Sequence, residues 1–157
     1  MSVLTDPADC GPVTLGLCQD VQAEAWDYPE SFFAPRVWHM RRILSDAAEL
    51  SRAIEILKSA KRPMIVAGGG VRYSGASQTL TAFAEAAGIP VAATQAGKSS
   101  LVEAHPMYVG SLGVTGASAA NNLAAKADVV LSVGSRLQDF TTGSNSLISG
   151  QVVALNV

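Results

Sequence analysis

The sequence predicts an α/β fold in three layers, a parallel sheet between helices, and three observations carry that expectation. The apolar run Ala127-Asp-Val-Val-Leu-Ser-Val133 stops at Gly134, with Arg136 and Asp139 just beyond it. A second run, Pro63-Met-Ile-Val-Ala67, stops at Gly68-Gly-Gly70. Alanine-rich segments of helical periodicity alternate with such runs. Short strands that are apolar throughout bury both faces, which is the situation of a parallel sheet covered by helices. Glycine at the carboxyl end of such a strand marks the Rossmann-like turn beside which ligands of this architecture bind.

Residues 1–35 read differently from the rest. Val13-Thr-Leu-Gly-Leu17 has the pattern of one buried strand, and one strand cannot form a sheet alone. It is expected to be the last strand of a preceding domain. A linker with Pro29 and Pro35 follows, pinned by packing of Trp26, Tyr28, Phe32 and Phe33. Residues 36–157 are expected to form the Rossmann-like domain, incomplete on its C-terminal side.

Within that domain Ser45 or Asp46 caps a helix. Its apolar face is Ala47, Leu50, Ala53, Ile54, Leu57 and Ala60. Lys58 and Lys61 suit the dipole of its last turn, and Pro63 ends it. Met64–Ala67 is the first strand. A helix over Ser74–Ala87 closes at Gly88, and Pro90–Thr94 is the second strand. Residues 95–107 form a loop with a helical turn, and Tyr108-Val109 is briefly extended. A helix runs from Gly116 to about Ala125, Asp128–Val133 is a strand, and Thr141–Gly150 is loop. Val152–Asn156 is a final strand, whose unpaired apolar edge is expected to seek a partner.

Composition removes several functions. The chain has 157 residues, 48% hydrophobic and 15% charged, so a core is within reach. A net charge of −2 with no basic stripe argues against nucleic-acid binding; Arg36, Arg41 and Arg42 read as a solvated face. Cys10 and Cys18 lack the spacing and histidine partners of a metal site, and His39 and His105 stand apart from them. Two cysteines in such a chain fit a reducing cytoplasm. No apolar run has the length to span a bilayer, and the first residues lack the pattern of a signal peptide.

Four motifs invite a ligand. Gly68-Gly-Gly-Val-Arg-Tyr73 sits where a backbone approaches a phosphate, but Tyr73 stands where the dinucleotide fingerprint requires glycine. A tight turn without ligand fits equally well. Ala92-Ala-Thr-Gln-Ala-Gly-Lys-Ser99 imitates a phosphate loop, yet lacks its first glycine and a following helix, so chance similarity is the better reading. Gly110-Ser-Leu-Gly-Val-Thr-Gly116 offers N–H groups for an anion nest, or is a plain loop. Arg136 suits a bidentate grip on pyrophosphate, and equally a pairing with Asp139 or with a neighbouring domain. No nucleophile–base pair or carboxylate cluster emerges.

Taken in order, these segments resemble a known family. The stretch Gly11-Pro-Val-Thr-Leu-Gly-Leu-Cys-Gln-Asp-Val-Gln22, the Arg62–Gly70 run, the Gly110–Gly116 loop and Val133-Gly-Ser-Arg-Leu-Gln-Asp-Phe-Thr-Thr-Gly143 are similar to the central domain of thiamine-diphosphate-dependent enzymes of the acetolactate synthase type. Val21-Gln-Ala-Glu-Ala-Trp-Asp-Tyr-Pro29, Phe32-Phe-Ala-Pro-Arg-Val-Trp-His-Met-Arg-Arg42 and Gln95-Ala-Gly-Lys-Ser-Ser100 resemble a hydrolytic branch of that family.

The resemblance implies a parent with a pyrimidine-binding domain before this one and a diphosphate-binding domain after it, assembled as a homo-oligomer. Thiamine diphosphate and Mg²⁺ would be held by those flanking domains, which carry the activating glutamate and the Gly-Asp-Gly motif. The cofactor serves as electron sink for cleavage of a C–C bond in a ketonic substrate. This chain alone is expected to be inactive, with no catalytic residue and no metal ligand. One branch of the family binds FAD in this domain, and Gly68, Gly69, Gly110, Gly113, Arg136 and Asp139 match its flavin-contacting loops. The hydrolytic branch is not expected to need flavin, so these loops are expected to be vestigial.

Overall fold

The computed structural model describes residues 1–6, 11–41 and 43–155. Two compact units form, Met1–Arg42 and Ile43–Val157. The larger unit holds five strands, β1 (Pro63–Ala67), β2 (Val91–Ala93), β3 (Tyr108–Ser111), β4 (Val129–Val133) and β5 (Gln151–Leu155), all parallel in the order β3-β2-β1-β4-β5. The smaller unit contributes a helical turn, α1 (Ser2–Thr5). The larger carries α2 (Ala47–Ser59), α3 (Gly69–Tyr73), α4 (Ser77–Ala87), α5 (Ser118–Lys126) and α6 (Asp139–Thr142).

Alternation along the central strands builds the layers. Ile65 and Ala67 of β1 point with Leu131 of β4 into a core shared with Ala53 of α2 and Leu80 and Ala84 of α4. Met64 and Val66 point the other way, with Val130, against Ala120 and Ala124 of α5. Successive side chains of a strand face opposite sides, so a strand covered twice must be apolar at every position. All four residues of Met64–Ala67 are fully buried.

Helix boundaries follow their capping chemistry. Asp46 accepts hydrogen bonds from the N–H groups of Ala48 and Glu49 and so starts α2. Gly88, at φ 65°, ends α4 in the left-handed conformation that costs glycine nothing.

Several expectations are corrected. Val13–Leu17 forms no strand and is exposed, Leu15 at 81%; an apolar run reports a capacity for burial, and a strand also needs a hydrogen-bonding neighbour. The helix expected from Ser74 begins only at Ser77 as α4, because Gly75 turns to φ 69° just before it, and Gly69–Tyr73, read as a turn, forms the short helix α3. On α2 the buried and half-buried face is Ala53, Ile56, Leu57 and Ala60, while Leu50 and Ile54 are exposed. Lys61 lies beyond α2, and α6 occupies the start of the expected 141–150 loop. Cys10, Arg42 and Asn156 lie outside the described residues.

The turn between α2 and β1 is closed from a distance in sequence. Asp128 accepts hydrogen bonds from the N–H groups of Lys61 (2.7 Å) and Arg62 (2.9 Å), and Arg62 Nε donates to the Lys126 carbonyl. The Lys61 N–H, seconded by that of Arg62, holds the Asp128 carboxyl below its usual 3.8, against the opposing effect of burial. The folded state thus favours the charged form. That stability is complete above pH 3.8 and is lost as pH falls through the lowered folded value. Asp128→Asn is expected to lower the melting temperature at neutral pH. The gap from the unsubstituted chain should narrow on acidification, as melting curves across the acid range will read.

Candidate functional site

Strand order reverses between β1 and β4, so the carboxyl edge at those strands is where this architecture offers a crevice. All six sequence-selected residues lie along that edge. Gly68 and Gly69 leave β1, Gly110 lies within the end of β3 and Gly113 just past it, and Arg136 and Asp139 follow β4. The structure brings backbone together there and leaves little for a ligand to take.

At the reversal point the two exits interlock. The Gly68 N–H donates to the Val133 carbonyl (2.8 Å) and the Gly70 N–H to the Gly134 carbonyl (3.0 Å). A Cβ on Gly68 would overlap the Gly134 carbonyl oxygen and lie 2.6 Å from the Ser135 Cβ. Gly134 has φ 59° and packs against the Gly70 Cα. Gly69 faces Ala96 with more room, 3.3 Å from its would-be Cβ. From the side of β2, the Gly97 N–H turns back to Thr94, and Gly97 presses on the Ala67 carbonyl. No helix follows Ser99, and Lys98 is exposed near Glu103 (3.8 Å), so a phosphate loop is not built.

In the loop after β3 most N–H groups are likewise bonded within the chain, which favours the plain-loop reading over the anion nest. Leu112 N–H donates to Ala93, Val114 to Phe140, Gly116 to Gly113 and Ala117 to Ser111. The Asn121 carboxamide closes the set: it accepts from Gly113 N–H (3.1 Å) and donates to the Gly113 carbonyl (2.9 Å). Gly110, at φ 101°, lies against Ala117, and Gly113 against the Phe140 carbonyl, so the loop is braced on α5 and α6. An anion nest requires N–H groups that point outward unpaired.

Arg136 and Asp139 are both exposed, and neither has an ion-pair partner among the described residues, each other included. The reason is Leu137, whose φ of 47° turns its side chain into the core beside α5 while Arg136 stays outside. A bulky residue in this region is strained by about 1–3 kcal/mol. The Ser135 hydroxyl holds it by accepting the Leu137 N–H. Sequence reading missed this turn, since nothing in Leu137 itself signals a left-handed backbone. It also missed Ser132 and Ser100, both buried with hydroxyls lacking a hydrogen-bond partner.

Among the described residues no group of three His, Cys, Asp or Glu side chains is placed to hold a metal ion. With the N–H groups of Gly68, Gly70, Gly113 and Gly134 engaged within the chain and no carboxylate cluster beside them, the residues present do not fit Mg²⁺ and a cofactor diphosphate.

Comparison with known proteins agrees with this domain-like character. Residues 50–157 match the family described as thiamine pyrophosphate enzyme, central domain. A 3D-(3,5/4)-trihydroxycyclohexane-1,2-dione hydrolase of Geobacillus thermodenitrificans (strain NG80-2) is 49% identical over 158 residues, covering 100% of this chain and 25% of its own length. Proteins of the same name from Bacillus thuringiensis (strain Al Hakam) and Bacillus cereus (strain 03BB102) are each 49% identical over 153 residues, with 98% and 24% covered. The chain therefore spans about a quarter of the length of these relatives. An all-parallel sheet in Rossmann order, glycine turns locked on one another and a match over most of the sequence lead to one assignment: the chain belongs to the thiamine pyrophosphate enzymes and is their central domain.

Proposed function

We propose that this chain is the central, non-catalytic domain of a thiamine-diphosphate-dependent hydrolase. The parent opens 3D-(3,5/4)-trihydroxycyclohexane-1,2-dione to 5-deoxy-glucuronate in myo-inositol catabolism in the cytoplasm. The observation that carries the reading is identity of 49% along the entire chain, including residues 1–49 that lie outside the family match. Among the described residues no helix is long and apolar enough to cross a membrane, which is compatible with that location.

Thiamine diphosphate and Mg²⁺ belong on the flanking pyrimidine- and diphosphate-binding domains of the same chain, in a homo-oligomer. Gly68, Gly69, Gly110, Gly113, Arg136 and Asp139 are vestiges of a flavin-type edge, retained here for packing. Gly68 and Gly113 press on backbone of the same chain and Gly110 on the Ala117 side chain, which supports that role.

The test compares two proteins. The full-length parent with thiamine diphosphate and Mg²⁺ is expected to open the cyclic dione, and the 157-residue chain under the same conditions is expected not to. FAD added to the 157-residue chain is expected to leave both flavin fluorescence and melting temperature unchanged. A bound ligand at a hundredfold its Kd stabilises by about 2.7 kcal/mol, so real binding would be plain in the melt. Saturable quenching would instead favour the FAD-binding central domain of an acetolactate synthase-type carboligase.

A further inference from the structure

The unit Met1–Arg42 has none of its described residues buried. In place of a core it presents Trp26 (76% exposed), Phe33 (70%) and Trp38 (48%), with Tyr28, Phe32 and Val37 between them also exposed. Soluble monomers rarely leave so dense an apolar run in water, and aromatic side chains are the usual anchors of protein interfaces.

Part of this surface is already organised. Tyr28, Phe32 and Phe33 pack their rings together, with centroids 4.9 Å apart for Tyr28–Phe32 and 5.2 Å for Phe32–Phe33. The helical turn Glu30–Phe32 holds them, with Phe32 N–H on Pro29 and Phe33 N–H on Glu30. A knob fixed before contact loses little conformational freedom on docking.

Charge identifies the partner. Asp20, Glu24, Asp27 and Glu30 accompany the aromatic half with no base among residues 20–30. None of the four has an ion pair among the described residues. Arg36, His39 and Arg41 follow with no acid among residues 36–41. Arg41 already pairs with Asp6, and Arg36 has no such partner among the described residues. An acidic half followed by a basic half is complementary to itself when two copies run antiparallel about a two-fold axis. Parallel alignment would set like charge on like.

We propose that residues 20–41 are a two-fold contact surface for a second copy of this chain. The aromatic knob of each copy packs beside Trp38 of the other, and Glu30 of each faces Arg36 of the other.

Trp26 and Trp38 are the only tryptophans of the 157-residue chain, so selectively excited tryptophan emission reads this surface alone. Analytical ultracentrifugation of that chain is expected to show a dimer. Dilution should dissociate it, with tryptophan emission shifting to the red in step, and high salt should promote dissociation. Phe32→Ser combined with Phe33→Ser is expected to weaken dimerisation about tenfold or more. Arg36→Glu alone should weaken it, and Arg36→Glu with Glu30→Arg should restore it. Circular dichroism checks that the sheet unit stays folded in each variant. Three results would overturn the proposal. One is a monomer at every concentration. Another is association that survives the double phenylalanine change and is lost in Val152→Lys, which would place the contact on the β5 edge. The third is a monomer whose tryptophan emission turns blue only when separately expressed flanking domains of the parent are added.

Discussion

Gly68→Ala is expected to lower the stability of the sheet unit by about 3 kcal/mol or more, enough to unfold much of the population at physiological temperature. The new methyl has no free volume, because it falls on the Gly134 carbonyl oxygen and the Ser135 Cβ. Both belong to the exit of β4, which is held by the hydrogen bond from Gly134 N–H to the Leu155 carbonyl as well as by that from Gly70. Relief would therefore require β1 and β4 to part, and they pair in register from Pro63–Val129 to Ala67–Val133. Gly69→Ala is the internal control. Its methyl would meet Ala96 at 3.3 Å on an exposed turn that can give way, so the cost should stay below about 1 kcal/mol. Urea titrations of both variants without any nucleotide separate packing from ligand binding. Were these glycines retained for a phosphate alone, both variants would melt like the unsubstituted chain.

Asn121→Ala should cost about 2 kcal/mol, read as a shift of the urea midpoint at constant slope. The carboxamide satisfies both the N–H and the carbonyl of Gly113, which is itself buried. Alanine leaves the Gly113 N–H unpaired and its carbonyl with the Gly116 N–H alone, two lost hydrogen bonds of about 1 kcal/mol each. The effect should reach past the loop, since Val114 N–H is bonded to Phe140 in α6. Hydrogen exchange of Gly113 and Val114 is expected to accelerate together in this variant, because a loop braced at one point opens as a unit. Unchanged exchange at Val114 would mean that the α6 contact holds the loop by itself.

Both substitutions show why the edge was only half legible beforehand. Gly68, Gly113 and Gly134 stand out in the sequence as glycines at strand ends, and their place at the carboxyl edge follows from that. Their role does not, because it depends on what lies across from them. Gly68 and Gly134 are distant in sequence and meet only through the pairing of β1 with β4. The same applies to Asp128, which reads as a surface acid until folding brings the Lys61 and Arg62 N–H groups to it. Val13–Leu17 shows the reverse error, a strand pattern with no strand across from it.

The sequence alone determined the parallel α/β architecture. Met64–Ala67 and Val129–Val133 are apolar at nearly every position, and only burial on both faces calls for that. It also set the start of α2 at Asp46 and the end of α4 at Gly88, because capping is a local matter of a few adjoining bonds. The tertiary structure decided that the N–H groups of Gly68, Gly70, Gly113 and Gly134 at the carboxyl edge are taken up within the chain. It also decided that Arg136 and Asp139 stay apart, through the left-handed turn at Leu137. These outcomes depend on contacts between segments far apart along the chain, and no local pattern of residues encodes a distance between strands.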